Sequence, residues 1–200
     1  MRKKLNAVLG VLIFISLIWT VASYFMDEKK TKDLAIKKAI STAERGDAEA
    51  QYNLGRSYYK GQGVAINLVQ AVAWYRKSAE QGFADAQFNL GCCYEKGEGV
   101  VKDDAEAVKW LRKASEQGHA KAQYNLGCYY AKGEGVPQDK SESIRLCLKA
   151  AEQGIADAQY NLGYSYENGD GVEQNMSEAV KWYTKASKQG HAGAIQALNR

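Results

Sequence analysis

The chain has 200 residues, with 27 Lys and Arg against 23 Asp and Glu, and a formal net charge of +4. Three of the positive residues, Arg2, Lys3 and Lys4, lie in the head of the chain, residues 1–26. This head contains no Asp or Glu, so the remaining chain is nearly neutral. A near-neutral body argues against nucleic-acid binding, which depends on clustered Lys and Arg. Two His and four Cys without a ligand-like spacing leave little material for a metal or nucleophile site. We therefore expect no catalytic residue, no cofactor, no metal and no small-molecule substrate.

Residues 1–26 predict a membrane anchor or an export signal. Leu5–Met26 carries no charge and lies between the basic Met1–Lys4 and the charged Asp27–Lys30. About 20 apolar residues are enough to cross a bilayer as a helix. A cleavable signal needs an apolar region of only ~7–15 residues and small residues before the cut, and Ala7–Trp19 and Val21–Ser23 satisfy both conditions.

For the location of the protein, we expect the cell envelope. The first hypothesis is a single-pass inner-membrane protein whose remaining chain lies in the periplasm. The alternative is a secreted or periplasmic protein released by cleavage of the head, and a third reading makes the head a buried helix.

The rest of the chain is an internal repeat with a period of 36 residues. The segment Ala48-Glu-Ala-Gln-Tyr-Asn-Leu-Gly55 returns with small changes at Ala84, Ala120 and Ala156, and a degenerate copy begins at Ala192. A fixed period of 20–50 residues is typical of solenoid proteins. The pattern predicts four full repeats, at residues 48–83, 84–119, 120–155 and 156–191.

Each repeat is predicted to form two helices. The first covers about Ala48–Lys60 and ends at a G-x-G-V motif, whose first glycine suits the left-handed conformation that closes a helix. The second helix follows an Asn or Asp with Gln or Glu three residues later, a pattern that resembles a capping box. These pairs are Asn67 with Gln70, Asp103 with Glu106, Asp139 with Glu142, and Asn175 with Glu178.

Half-repeats are predicted at both ends of the array. Residues 27–47 are interpreted as a linker and an N-terminal capping half-repeat, with a helix over Thr31–Arg45 and Thr31 as its N-cap. Residues 192–200 are interpreted as a C-terminal capping helix, in which Ile195 replaces the repeated glutamine. Half-repeats of this kind keep the outer repeats from exposing an apolar face.

The motifs A-x-A-Q-[YF]-N-L-G-x-x-Y, G-x-G-V and A-V-x-W-[YL]-x-K-[AS] resemble those of the Sel1-like repeat family, a relative of the tetratricopeptide repeats. The resemblance covers about residues 31–200, and repeat three departs from it with Leu146 in place of Trp. It implies an all-α fold, a right-handed α/α solenoid. It also implies a scaffold or adaptor role, in which the concave face of the solenoid binds a partner protein or peptide.

By analogy with tetratricopeptide stacks, the first helices line the concave face. An Asn and an aromatic residue recur there in every repeat, and the remaining positions vary. Asn side chains that pair with an extended backbone, flanked by aromatic rings, suit a peptide segment. The same Asn residues could instead brace neighbouring helices, and both roles stay open. The candidate partner-binding residues are Tyr52, Asn53, Arg56, Tyr59, Phe88, Asn89, Glu95, Tyr124, Asn125, Tyr160, Asn161, Tyr164 and Glu167.

The cysteines and histidines are interpreted as structural residues. Cys92 and Cys128 are equivalent positions in adjacent repeats, about 8–10 Å apart, and a disulfide needs less than about 7 Å. We therefore expect these two, with Cys93 and Cys147, to be free thiols. His119 and His191 lie two repeats apart, too far to share a metal ion.

The favoured function is a non-catalytic, envelope-associated adaptor that binds a protein or peptide segment. One alternative is a structural or self-associating envelope protein. A β-lactamase-like hydrolase is a further alternative, but an enzymatic nucleophile needs an orienting base. Neither His119 nor His191 has a plausible Ser or Cys partner in its own repeat.

Overall fold

The computed structural model describes residues 34–200, together with residues 19, 24, 26, 30 and 31. This described part is helical and contains no strand. Residues 34–44 are helical, and we label them α1. The helices that follow are α2 (Ala48–Lys60), α3 (Leu68–Glu80), α4 (Ala84–Lys96), α5 (Asp104–Glu116), α6 (Ala120–Lys132), α7 (Lys140–Glu152), α8 (Ala156–Asn168), α9 (Met176–Lys188) and α10 (Ala192–Leu198).

The helices stack in chain order, as the 36-residue period predicts. From α2 to α10 each helix packs against the one that follows it, and α10 also contacts α8. Each repeat therefore consists of one first helix (α2, α4, α6 or α8) and one second helix (α3, α5, α7 or α9). The prediction of an all-helical solenoid is confirmed, with α1 and α10 at its two ends.

A buried glutamine joins each repeat to the one before it, a role that the sequence analysis missed. Gln123 on α6 donates from Nε2 to the Ser115 carbonyl at the end of α5, at 3.3 Å. Its Oε1 accepts a hydrogen bond from Gln153 Nε2 at the end of α7, at 2.7 Å. The same two bonds join Gln51 to Ala43 and Gln81, Gln87 to Ala79 and Gln117, and Gln159 to Ala151 and Gln189. Each glutamine thus links two successive second helices.

We expect Gln123→Met to lower the free energy of unfolding by about 1–2 kcal/mol. The change keeps the shape of the side chain but removes two hydrogen bonds, each with a net value of about 0.5–1.5 kcal/mol. Gln70→Met, the same change at an exposed position on α3, is the matched control and should cost less than half as much. Urea unfolding followed by circular dichroism measures both. Equal losses would contradict a special role for the buried amide.

In three of the four repeats, close packing leaves no room for a Cβ atom at the glycine in the middle of the first helix (Gly55, Gly91 and Gly163). A Cβ atom at Gly163 would lie 2.5 Å from the ring of Tyr183, and one at Gly55 would lie 2.7 Å from the ring of Tyr75. At Gly127 the corresponding neighbour is the smaller Cys147, whose Sγ would be 3.1 Å away. Glycine costs about 1 kcal/mol relative to alanine inside a helix, and here the close approach of the second helix offsets that cost.

We expect Gly163→Ala to destabilise the protein by about 1–3 kcal/mol, the usual cost of overpacking a core. Gly127→Ala should be nearly neutral, because Cys147 leaves more room and alanine is the better helix former by about 1 kcal/mol. Thermal and urea unfolding of the two variants test the difference. A large loss at Gly127 would show that ring contact is not what requires the glycine.

The two glycines of each G-x-G-V motif have different structural roles: the first ends a helix, and the second allows the loop to approach the preceding repeat. Gly97 ends α4 in the left-handed conformation, at φ 71°, and its N–H donates to the Cys93 carbonyl. Gly99 also has a positive φ, and a Cβ there would lie 2.2 Å from the Leu68 carbonyl oxygen at the start of α3. The loop of one repeat therefore rests on the second helix of the preceding repeat. Gly63 makes the equivalent contact with Ile36, which places α1 where a second helix belongs.

The predicted caps of the second helices form, but the full capping box does not. Asp103 accepts from the Glu106 N–H at 3.0 Å, and Asn67, Asp139 and Asn175 make the equivalent bond. The backbone N–H of Asp103, however, donates to the Tyr94 carbonyl of α4. Because that donor is already occupied, the Glu106 carboxylate accepts from Lys109 and Trp110 instead. The reciprocal half of the prediction is wrong.

The prediction of Thr31 as an N-cap is also wrong. Lys30 and Thr31 are both helical, and no glycine or proline between Asp27 and Arg45 interrupts helix formation. The predicted anchor or signal over residues 1–26 lies outside the described residues, apart from 19, 24 and 26. In the segments that the structure describes, no helix is long and apolar enough to cross a membrane.

Candidate functional site

The thirteen candidate residues all lie on the first helices, and pockets run between those helices. A pocket of about 450 Å³ lies between α2 and α4, and one of about 220 Å³ lies between α4 and α6. A third, of about 240 Å³, is lined by α6, α7 and α8. We call this row of pockets the first-helix groove. Every candidate residue is exposed or half-buried, so none is part of the closed core.

The repeated aromatic residues form the half-buried wall of the groove. Tyr52 packs against Phe83, with ring centroids 5.1 Å apart, and so contacts the N-cap residue of α4. Phe88 stacks on His119 at 4.6 Å, and Tyr160 stacks on His191 at 4.5 Å. One face of each of these rings therefore packs against the N-cap residue of the helix that begins the next repeat.

The two histidines have a role that the sequence analysis missed. His119 is the N-cap of α6, and its Nδ1 accepts from the Ala122 N–H at 3.1 Å. Its Nε2 lies 3.4 Å from the Asp85 carboxylate, so the proton of the neutral ring belongs on Nε2. His191 repeats the arrangement with Ala194 and Asp157. The signal was present in the sequence, because these positions correspond to Asp47, whose carboxylate caps α2 by accepting from the Ala50 N–H.

Three of the four repeated asparagines contact the preceding first helix, whereas the side chain of the fourth, Asn53, is exposed. Asn161 Nδ2 lies 3.5 Å from the Tyr124 hydroxyl, and Asn125 Nδ2 lies 3.9 Å from Cys92 Sγ. Asn89 hydrogen-bonds the hydroxyl of Tyr52; burial raises the pKa of that phenol above its ordinary value, and the Asn89 bond partly lowers it again. An amide has more hydrogen-bonding capacity than one such contact uses, so bracing and partner binding are compatible.

The positions that vary between repeats divide into two groups. Tyr59 donates to Glu98 at 2.7 Å, and this bond raises the pKa of Tyr59 to about 12. Glu167 accepts from Tyr183 at 2.6 Å. Both side chains are thus engaged within the protein. In contrast, Tyr164 is 51% exposed, and Arg56 lies over the ring of Tyr52, 5.6 Å from its centroid.

Charged residues outside the candidate set also line the groove. Lys60, Lys96 and Glu98 surround the pocket between α2 and α4, and Glu95 lines the next pocket with Lys132. Lys60, Lys96 and Lys132 occupy the same position in the last turn of their helices, where the helix dipole by itself favours a cation. Glu98 gave no signal, because it occupies the variable position of a turn motif.

The thiols are poorly suited to nucleophilic chemistry. All four cysteines are free. Burial raises the pKa of Cys92 to about 11 and the pKa values of Cys93 and Cys147 to about 12, and it also raises the pKa of Cys128. At neutral pH these groups are protonated, and the thiol is a much weaker nucleophile than the thiolate. Over the residues described, no group of three or more His, Cys, Asp or Glu could hold a metal ion.

Comparison with known proteins gives a consistent family match. The Sel1 repeat family matches residues 48–83, 84–119, 120–155 and 156–191. A protective antigen of uropathogenic Escherichia coli, c5321, displays an SLR fold and is similar at 42% identity and a TM-score of 0.79. That match covers 81% of this chain and 35% of the antigen, so this chain spans about a third of its length.

Two further solved structures are similar. A Sel1 repeat protein from Oxalobacter formigenes has 40% identity and a TM-score of 0.78, over 84% of this chain and 70% of that one. Cysteine rich protein B of Helicobacter pylori has 26% identity and a TM-score of 0.54, over 66% of this chain and 96% of that one. No curated protein matches the sequence.

Proposed function

Because the chain belongs to the Sel1 repeat family, we propose that it is a non-catalytic adaptor that binds a protein segment in the first-helix groove. Sel1 repeat proteins typically mediate protein–protein interactions, and the family is generally a scaffold family without catalytic activity. The observation that carries the proposal is the row of three pockets along successive first helices. An extended segment crossing the repeats would meet them one after another.

The chemistry of the groove fits a polypeptide better than a small substrate. Half-buried rings such as Tyr52 and Tyr124 offer large apolar area at low entropic cost, and aromatic residues are enriched at protein interfaces. Amides such as Asn125 can pair with a peptide backbone. The raised pKa values of the thiols argue against the hydrolase alternative, since an effective nucleophile would need a lowered one.

For location, we propose that residues 1–26 bring the repeats to the cell envelope, by a retained anchor or a cleaved signal. The support is the uncharged stretch Leu5–Met26, which is long enough to cross a bilayer. The mass of the protein isolated from cells separates the two forms, because cleavage removes the head. Protease is added to intact spheroplasts to test the side of the membrane. If the repeats stay uncut, a periplasmic location is contradicted.

Photo-crosslinking in living cells tests the groove. We expect benzoylphenylalanine at Tyr124 or Tyr164 to give a discrete crosslinked band, because both side chains line the groove. The same probe at Glu116, an exposed position on the second helix α5, is the matched control and should give no band. Bands of the full-length protein are compared after immunoblotting. A product that forms only at Glu116 would place the partner on the opposite face.

Affinity measurements on the captured partner separate binding from bracing. We expect Tyr164→Ala to weaken binding by about 1–2 kcal/mol if the exposed ring is an interface anchor, without changing the melting temperature. Asn161→Ala removes the contact with Tyr124 and should lower the melting temperature instead. Unchanged affinity in both variants would show that the partner does not bind this part of the groove. Calorimetry gives the affinities, and thermal unfolding without partner gives the stabilities.

A further inference from the structure

The α2–α4 end of the groove carries positive charges that are not paired with carboxylates of the described residues. Arg56, Lys60 and Lys96 line the 450 Å³ pocket with Tyr59 and Phe88. Among the residues that the structure describes, none of the three cations makes an ion pair. The guanidinium of Arg56 lies over an aromatic ring, and the two lysines are exposed.

The one carboxylate in this pocket is already engaged. Glu98 Oε2 accepts a hydrogen bond from the Tyr59 hydroxyl at 2.7 Å. With three cations and one carboxylate in the lining, the pocket has an excess of positive charge. Aromatic walls lower the local polarity, and an anion that enters is screened less than it would be on an open surface.

The rest of the groove lacks this excess. The positions equivalent to Arg56 are Cys92, Cys128 and Tyr164. In the α4–α6 pocket Lys132 is 3.6 Å from Glu134, and in the α6–α8 pocket Lys140 is 2.7 Å from Asp170. The cations of the later pockets therefore have carboxylate partners. The groove is electrostatically asymmetric, with its positive end at the first two repeats.

We propose that the α2–α4 pocket recognises an acidic segment of the partner, in which an apolar or aromatic residue is flanked by carboxylates. This inference rests on the proposed function and names the chemistry of the partner. The pocket contacts the apolar residue through Phe88 and Tyr59, and Arg56 and Lys96 bind the carboxylates by charge-assisted hydrogen bonds. Its position also fixes which part of the bound segment lies at the first two repeats, namely the acidic part.

Binding of labelled peptides to the full-length protein tests the proposal. The probes are fluorescein-labelled peptides that share one central Phe and are flanked by four Glu, four Gln or four Lys. By fluorescence polarisation at low salt, we expect the Glu peptide to bind at least ten-fold more tightly than the Gln peptide. This advantage should shrink at 300 mM NaCl, because exposed charges are screened.

The double variant Arg56→Gln with Lys96→Gln should reduce the advantage of the Glu peptide over the Gln peptide to less than two-fold. Lys132→Gln, at the same repeat position as Lys96 but paired with Glu134, is the matched control and should change the affinity less than two-fold. Arg56→Lys should retain the preference. An equal effect of Lys132→Gln, or no effect of the double variant, overturns the proposal.

Further outcomes distinguish this inference from the proposed function. If crosslinks form at Tyr124 but the peptides bind without regard to charge, the acidic preference is wrong and the adaptor function stands. If no peptide binds and no crosslink forms, both are wrong. If inorganic phosphate displaces the Glu peptide at equal concentration, the pocket binds simple anions and the assignment to a peptide is overturned.

Discussion

The buried glutamine of each first helix is the interaction on which the arrangement of the repeats depends. In a solenoid each repeat touches only its neighbours, so every interface must define its own geometry. An apolar contact tolerates sliding, whereas a buried amide that loses its partners costs about 1–3 kcal/mol. Gln123 holds Ser115 of the preceding second helix and Gln153 of its own repeat. The groove pockets lie between repeats, and their shape therefore depends on this register.

The sequence predicts those structural features that depend on residues close together in the chain. The 36-residue period, the helix ends and the caps at Asn67 and Asp103 follow from residues within a few positions of one another. The contacts between repeats join residues far apart in the chain, such as Asn161 with Tyr124 and Tyr59 with Glu98. Their partners depend on how the repeats stack, which a period does not specify. The failed half of the capping box has a nearer cause, because the carbonyl of Tyr94, on the preceding helix of the same repeat, accepts from the Asp103 N–H.

The pockets lie along the first helices, where the sequence predicts the candidate residues, but the contacts of those residues were not predictable. The first helices do carry the pockets, yet the repeated residues Asn161 and Phe88 bind neighbouring parts of the chain. A contact that every interface needs recurs in every repeat, so recurrence in this chain indicates a structural role. Arg56 and Tyr164 do not recur; Tyr164 is 51% exposed, and Arg56 is half-buried over the ring of Tyr52. Under the proposed function, selectivity for a partner would depend on positions at which the repeats differ.

The contacts that join the repeats also have a direction along the chain. Gln87 reaches back to Ala79, and the turn at Gly99 rests on Leu68, so each repeat docks onto a surface completed by earlier residues. Proteins are synthesised from the N-terminus, and their N-terminal parts generally fold first. A newly made repeat thus finds its docking surface already present and need not wait for residues still to come. The array can fold vectorially, in the order in which the ribosome releases it.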